Sequence, residues 1–161
     1  MKLFGNILIL FLFLIMSNLS YSEYHNVDTP EVQIKKLKYV LNETFKGLGM
    51  GKVDFFVSKL KDQQFTGMYS HGYTWYYASE NLGKIGKEAI PKLIKILDTK
   101  NDFERTQALY ALSLAAQHPN VKSFTNGEYV KGDGTAFPEP EKHSEIVDEW
   151  KKWFNKYKND F

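Results

Sequence analysis

The sequence predicts an all-α fold of short helical hairpins, and two observations carry this prediction. Apolar residues recur every three or four positions along most of the chain after residue 29, which is the period of a helix with one buried face. Gly86 and Pro91 fall where one apolar stripe ends and the next begins. With 161 residues and 43% hydrophobic content, the chain is long enough for one packed domain.

The first 22 residues have the pattern of a secretory signal peptide. Lys2 precedes an apolar run at 7–16, and a small residue at Ser22 predicts cleavage before the next position. A retained membrane anchor is the alternative, but the apolar run is shorter than the roughly 20 residues that span a bilayer. We therefore expect an exported protein whose single domain occupies 23–161 and has no membrane contact after cleavage.

Charge and composition disfavour several classes of partner and chemistry. The chain has 21 lysines and arginines against 19 acidic residues, a net charge of +2, so we expect no nucleic-acid partner. It contains no cysteine. Disulfides, thiolate chemistry and a lipid-modified cysteine are therefore excluded.

Four helices are predicted in addition to the two that meet at Gly86. The pattern predicts helices over about 30–46, 52–62, 102–117 and 141–158. We interpret the aromatic stripe of the last helix as core rather than as a ligand site. The apolar stripe of the first helix consists of Ile34, Leu37, Leu41, Phe45 and Leu48.

Two segments break the helical pattern. A polar link is expected over 62–72, after which a helix is expected from Tyr73 through Ile85. Residues 119–142 carry turn residues and predict a loop insertion before the C-terminal helix. Tyr129 and Val130 in this insertion suggest a short β-ribbon.

The centre of the chain contains an internal repeat. A shift of 30 residues aligns Ala78 with Ala108 and Leu82 with Leu112, in the same helical phase. Such a period is typical of stacked helical units. A single helical hairpin cannot bury its own apolar face, so each unit needs neighbours and the terminal units need caps.

The segment 74–116 resembles HEAT-like repeats of the short bacterial type. The resemblance lies in Leu82-Gly83-Lys84-Ile85-Gly86, then Ala89-Ile90-Pro91-Lys92-Leu93, then Arg105 in the next unit. It implies a short α-α superhelix capped by the helices at 30–62 and 141–158. The repeat positions are Ala78, Leu82, Gly83, Ile85, Gly86, Pro91, Leu93, Arg105, Ala108 and Leu112.

The resemblance implies roles for two glycines, and three parts of the sequence differ from the usual repeat pattern. Gly83 is expected where helices cross closely, and Gly86 is expected in a left-handed conformation that caps a helix. Trp75 stands where the repeat usually has arginine, and Ser79 replaces a small apolar residue. Residues 113–116 replace the second Gly-x-Ile-Gly.

No motif for catalysis, cofactor or metal binding is found. The stretch 47–52 is rich in glycine but lacks the spacing and the Ser or Thr of a P-loop, so we interpret it as a hinge between helices. The four histidines show no ligand spacing, and no serine lies in a Gly-x-Ser-x-Gly elbow. We interpret His118 as a helix C-terminus, where the dipole favours its positive form.

Two surface features are candidates for protein binding. Lys92 and Lys95 share one face of a helix at i,i+3 spacing, with Lys84 and Lys87 nearby. The aromatic-rich stretch 69–77 has more aromatics than one stripe can bury, which makes Tyr73 and Tyr76 candidates for exposure. A solvated lysine face and aromatic packing in the core remain the alternatives.

The predicted function is that of an exported, non-catalytic module that binds another protein. The signal peptide indicates export, and the resemblance indicates the periplasm or envelope of a Gram-negative bacterium. One alternative is an inhibitor or immunity protein against a secreted toxin. Another is a hydrolase or lyase with a site beneath the loop at 119–142, which two convergent titratable groups in a cleft would favour.

Overall fold

The all-α class is confirmed by a computed structural model, which describes residues 29–68, 74–131 and 138–161. The predicted signal peptide and Tyr73 lie outside the described residues. Helices dominate these ranges, beside one small antiparallel pair of strands. The elements are α1 (Pro30–Lys46), α2 (Lys52–Ser58), β1 (Thr66–Met68), β2 (Thr74–Tyr76), α3 (Tyr77–Ile85), α4 (Ile90–Ile96), α5 (Asp102–Ala116), α6 (Pro119–Thr125) and α7 (His143–Tyr157).

The first two helices begin where the sequence predicts, but the second ends early. α1 starts at Pro30, and the Oγ1 atom of Thr29 accepts a 3.5 Å hydrogen bond from its first turn. α2 ends at Ser58 rather than near residue 62, and the chain continues in tight turns. The Asp62 carboxylate accepts from the Gln64 amide at 3.0 Å, a local turn that competes with helix.

The predicted helix from Tyr73 is wrong at its start. β2 replaces its first turn and pairs antiparallel with β1, with Gly67 opposite Trp75. The sequence Thr-Trp-Tyr favours strand because β-branched and aromatic side chains pack well on a pleated surface. Trp75 therefore lies in a strand, whereas the repeat pattern predicts a helix at this position.

α5 is the centre of the fold, and it packs against both α3 and α4. The paired repeat positions Ala78 and Leu82 on α3, and Ala108 and Leu112 on α5, are all buried. Gly83 lies at the closest approach, since a Cβ atom there would stand 2.5 Å from the Cβ of Leu114. The predicted role of Gly83 at a close helix crossing is confirmed.

The joint between α3 and α4 depends on Gly86. Its φ of 70° is positive as predicted, but its ψ of −119° lies outside the left-handed helical region, in a conformation that favours glycine. Asn120 of α6 closes this joint, because its side chain accepts from the Lys87 amide and donates to the Ile85 carbonyl, both at 3.1 Å. Pro91 lies in the first turn of α4, as predicted.

Arg105 holds the loop between α4 and α5. Its Nε atom donates to the Leu97 carbonyl at 3.2 Å, and its Nη2 atom donates to the Thr99 carbonyl. Its third contact, at 2.6 Å, is to the carboxylate of Asp102 in its own helix. One guanidinium therefore satisfies loop carbonyls that lie beyond the end of α4.

The predicted loop insertion at 119–142 is wrong in its first part. α5 ends at Ala116, close to the predicted 117, and Pro119 then opens α6, with the His118 ring accepting from the Asn120 amide at 3.3 Å as an N-cap. His118 therefore lies at the predicted C-terminus of α5, where its amide donates to the Ala115 carbonyl at 3.1 Å, and also at the N-terminus of α6, a helix that the sequence pattern did not predict. Tyr129 and Val130 form no strand in the described stretch before residue 132.

The C-terminal helix confirms the interpretation of its stripe as core. α7 runs from 143 to 157 within the predicted 141–158, flanked by 3-10 turns at Pro140–Lys142 and Lys158–Asp160. Trp150 and Trp153 are buried, with ring centroids 5.4 Å apart in an edge contact. The indole of Trp153 donates to the Glu128 carbonyl at 3.0 Å, which ties the segment after α6 to α7.

α1 docks through polar groups rather than through its predicted apolar stripe. The Tyr39 hydroxyl donates to Asp62 at 2.7 Å, and this hydrogen bond raises the pKa of Tyr39 to about 12. Glu43 lies between Lys46 and Lys59, whose hydrogen bonds lower the pKa of its carboxyl. In contrast, Ile34, Phe45 and Leu48 of the apolar stripe are exposed.

Replacing Gly86 with alanine is expected to destabilise the fold strongly. A Cβ atom at position 86 would lie 2.3 Å from the Asn120 side chain, in addition to the strain of positive φ. Gly127 is the matched control, since its φ of 78° is also positive but no atom lies within 4 Å of its Cβ position. Urea unfolding should show a loss of about 3 kcal/mol or more for Gly86→Ala and about 1 kcal/mol for Gly127→Ala. Equal losses would contradict the role given to Asn120.

A buried polar pair between α3 and α5 gives a second prediction. The Ser79 hydroxyl lies 2.7 Å from Gln107 Oε1, and both residues are buried. Ser79→Ala should cost about 1–3 kcal/mol, because it leaves the amide oxygen without this donor. The double variant Ser79→Ala/Gln107→Met should recover part of that loss in chemical denaturation, whereas purely additive losses would exclude coupling.

The Tyr39 contact predicts a loss of stability in alkali. The folded pKa of about 12 exceeds the value of about 10 in an unfolded chain, so the stabilisation is complete below pH 10. It is lost as the pH rises from 10 to 12. The difference in unfolding free energy between the protein and its Tyr39→Phe variant should therefore shrink between pH 9 and pH 11.5. A difference that stays constant over this range rejects the prediction.

Candidate binding surface

The outer face of α4 presents the two lysines that the sequence singles out. Lys95 is exposed, and Lys92 lies one turn before it on the same face. The Lys92 ammonium contacts the carboxylate of Asp54 on α2, and both side chains are largely exposed, at 43% and 55%. An exposed ion pair contributes about 0–1 kcal/mol, so a carboxylate on a partner is able to compete for Lys92.

The opposite side of α4 is fixed in the core. Ile90, Leu93 and Leu97 are buried there, and α4 packs against α5. The two lysines therefore extend from a rigid helix whose orientation is set by burial on its other side. A cationic site on a rigid helix loses little backbone entropy on binding.

The neighbouring lysines are engaged with aromatic rings. The Lys84 ammonium lies 5.1 Å from the centre of the Trp75 ring, and the Lys87 ammonium lies 5.3 Å from that of Phe124. These are distances of cation–π contacts. Lys84 nevertheless remains exposed, as Lys95 does, while Lys87 and Lys92 are half-buried, so the neighbouring lysines add to the positive charge of this surface.

The aromatic stretch is largely drawn into packing. Tyr76 is half-buried, and its ring centre lies 6.2 Å from that of Phe103 on α5. Trp75 and Tyr77 are also half-buried and lie in contact, with ring centres 6.4 Å apart. Of the two tyrosines proposed for binding, Tyr76 therefore offers only part of its surface, while Tyr73 lies outside the described residues.

A cluster of titratable groups lies where α7 meets the segment after α6. Glu128 Oε2 lies 2.6 Å from the Lys156 ammonium and 2.8 Å from the Tyr157 hydroxyl. Lys156, and then Tyr157, lower the pKa of Glu128, and Glu128 in turn raises the pKa of Lys156. These shifts favour the charged forms of both partners, which is the behaviour of a surface ion pair rather than of a proton-transfer group near neutral pH.

His143 is the one described histidine that is buried. Its Nε2 atom lies 3.2 Å from the Thr106 hydroxyl and 3.0 Å from the Pro138 carbonyl. Its Nδ1 atom has no hydrogen-bond partner among the described residues. The ring therefore joins α5, α7 and the chain entering α7, a long-range structural contact that local spacing of the histidines does not reveal.

The glycine stretch before α2 forms a joint between helices, as interpreted from the sequence. Gly51 precedes the first turn of α2, and Gly49 has a φ of 105°. A Cβ atom at Gly47 would stand 2.2 Å from the Phe55 ring, so this glycine allows α2 to fold back closely. The stretch follows a helix, whereas a P-loop follows a strand.

The described part of the chain has neither a metal-binding cluster nor a membrane-spanning helix. Within residues 29–68, 74–131 and 138–161, no group of three or more histidine or acidic side chains is arranged to hold a metal ion. No helix in these ranges is long and apolar enough to cross a bilayer.

The exposure of the apolar residues of α1 does not follow from their spacing in the sequence. The apolar spacing was read correctly, but the stripe was expected to face a core. The relevant signal was on the other side of the same helix, where Tyr39 and Glu43 supply the polar groups that dock it. A helix that carries both an apolar stripe and partners for polar docking has two candidate inner faces, and sequence periodicity alone selects the apolar one.

Comparison with known proteins gives no relative for this chain: no family model, no curated protein and no solved structure matches it.

Proposed function

We propose that this chain is an exported, non-catalytic protein-binding module of HEAT-like helical hairpins, which acts in the periplasm or envelope of a Gram-negative bacterium. Its partner is another protein that presents carboxylates to the outer face of α4. The observation that carries the proposal is the pair Lys92 and Lys95 on a helix whose inner face is buried. The N-terminal sequence pattern supports export, and the repeat motifs support the HEAT-like assignment.

The chemistry of the face sets what it recognises. Lysine is a compact point charge on a flexible stem, so it attracts carboxylates without requiring one fixed geometry. Complementary charge of this kind mainly raises the association rate and selects against cationic partners. Asp54 beside Lys92 leaves the face with both signs of charge, which also suits a protein surface better than a uniform polyanion.

Charge reversal on α4 tests this proposal. The bait is the protein recovered after export, with its N-terminus determined by mass spectrometry and expected at Glu23. Lys92→Glu/Lys95→Glu should abolish capture of the partner from an envelope fraction, since it places like charges against the partner's carboxylates. Lys122→Glu/Lys158→Glu reverses two exposed lysines elsewhere and should leave capture intact.

Circular dichroism and thermal unfolding of both double variants establish that each is folded. Loss of the Lys92–Asp54 contact is expected to cost no more than about 1 kcal/mol, because the pair is exposed. Equal capture by the α4 variant and the parent protein rejects α4 as the binding face. Equal loss in both variants shows a dependence on overall charge instead, and it rejects α4 as well.

A further inference from the structure

An apolar stripe on α1 is exposed at Ile34, Phe45 and Leu48 and half-buried between them, at Leu37 and Leu41. At about 100° of rotation per residue, its members fall within a sector of about 80°, and they extend over about 20 Å of helix. Leu48 continues the stripe past the end of α1, because its amide still donates to the Phe45 carbonyl at 3.2 Å. The α1 stripe comprises Ile34, Leu37, Leu41, Phe45 and Leu48.

The exposure of the α1 stripe is high for side chains of this kind. Phe45 is 55% exposed and Leu48 is 64% exposed, and Met50 in the following turn is 49% exposed. Gly49 in this turn has no atom within 4 Å of its Cβ position, whereas Gly47 at the start of the turn lies against the Phe55 ring. A contiguous exposed apolar surface with polar borders is typical of an interaction site.

The orientation of α1 is held by contacts that do not involve the stripe. Val40 is the buried residue of the helix, and Tyr39 and Glu43 on adjoining positions reach Asp62 and Lys59. These contacts fix which side of α1 faces the body and therefore which side faces outward. The exposed stripe is a consequence of specific docking, not of a helix left without contacts.

The charge around the stripe is positive. Residues 29–52 contain five lysines and two glutamates, and Lys35 and Lys38 are exposed beside the stripe together with Glu31, so this border keeps a net positive charge. The Glu43 carboxylate is already engaged by Lys46 and Lys59. The partner that covers the stripe therefore carries negative charge. A second copy of this chain would bring the same lysines together, which disfavours self-association.

The composition and shape of the surface favour lipid over protein. The exposed apolar side chains on α1 and its following turn are aliphatic residues, one phenylalanine and one methionine, whereas protein hot spots are rich in Trp, Tyr and Arg held in pockets. The side of a helix followed by an exposed apolar turn is convex, whereas a hot spot needs a pocket. An amphipathic helix of this kind, bordered by lysines, lies in the plane of a bilayer interface with its apolar side among the upper acyl chains.

We propose that α1 and the turn at 47–51 form a peripheral docking surface for a membrane that contains anionic phospholipid. The α1 stripe and Met50 insert into the interface, and Lys35 and Lys38 contact the lipid phosphates. This goes beyond the binding of a protein partner by α4, and it revises the expectation that the chain has no membrane contact after signal cleavage. The protein lies on the bilayer and does not span it.

Site-specific fluorescence tests this proposal, because the chain has no cysteine of its own. Leu48→Cys in the exported protein is labelled with an environment-sensitive dye, and Asn155→Cys on α7 is the matched exposed control. With vesicles of about three parts phosphatidylcholine to one part phosphatidylglycerol, the dye at position 48 should shift to the blue and brighten. The dye at position 155 should stay as in water.

Charge reversal then tests the lysines. Adding Lys35→Glu/Lys38→Glu to the labelled chain should weaken vesicle binding on the order of 30-fold or more, and high salt should weaken the parent in the same direction. Both substituted side chains are exposed, and circular dichroism checks that the variant is folded. The N-terminus of the labelled protein is determined by mass spectrometry, because a retained apolar segment before Glu23 would bind vesicles by itself.

Each other outcome overturns the proposal. No blue shift at position 48 with anionic vesicles rejects membrane docking, and an equal shift with pure phosphatidylcholine rejects the role of the lysines. A shift without vesicles that grows with protein concentration shows that a second copy covers the stripe. Lys92→Glu/Lys95→Glu should leave the vesicle response unchanged, so failure of the α4 proposal and failure of this one are separate results.

Discussion

The close contact between α3 and α5 is the constraint on which the rest of the fold depends. Alanines at 78 and 108 and the absence of a side chain at Gly83 let the two helices approach until Leu114 fills the space that a Cβ atom would need. Since α4 also packs on α5, this contact sets the direction of the α4 surface that carries Lys92 and Lys95. A residue larger than glycine at position 83 would separate the layers and move every element that rests on them.

The parts of the fold that the sequence predicted well are those where local and tertiary signals agree. Pro30 and Thr29 mark the start of α1, and Gly86 and Pro91 mark the joint between α3 and α4, because backbone geometry leaves few alternatives at such residues. The errors occurred where tertiary contacts decided. Thr74 to Tyr76 pair with β1, a partner that periodicity does not reveal, and Pro119 opens a helix within the segment that was predicted to be a loop.

For the candidate surfaces, the sequence alone identified the charged and apolar residues, but it did not show which contacts they make or which side of α1 faces solvent. Lys92 and Lys95 could be placed on one face because their spacing is local, yet the contact of Lys92 with Asp54 spans 38 residues and had no signal in the pattern. A long-range contact that the sequence does not reveal also decides the orientation of α1. Its apolar stripe was found, but the long-range contact of Tyr39 with Asp62 turned that stripe outward. The two proposed surfaces, one cationic and one apolar with cationic borders, lie on different helices, so the proposed protein partner and the proposed bilayer contact do not share residues.

The Asn120 side chain has an implication for how the central units are assembled. It satisfies an amide and a carbonyl on the two sides of Gly86, from a position more than thirty residues later and outside the stretch that resembles a repeat. The joint of the hairpin is therefore hydrogen-bonded by a residue that lies outside the repeat-like segment 74–116. Duplicating or exchanging residues 74–116 as a unit would leave the amide and the carbonyl beside Gly86 of each added copy without a hydrogen-bond partner. An equivalent amide side chain would have to be added with each copy, so this requirement limits how far the unit can be repeated.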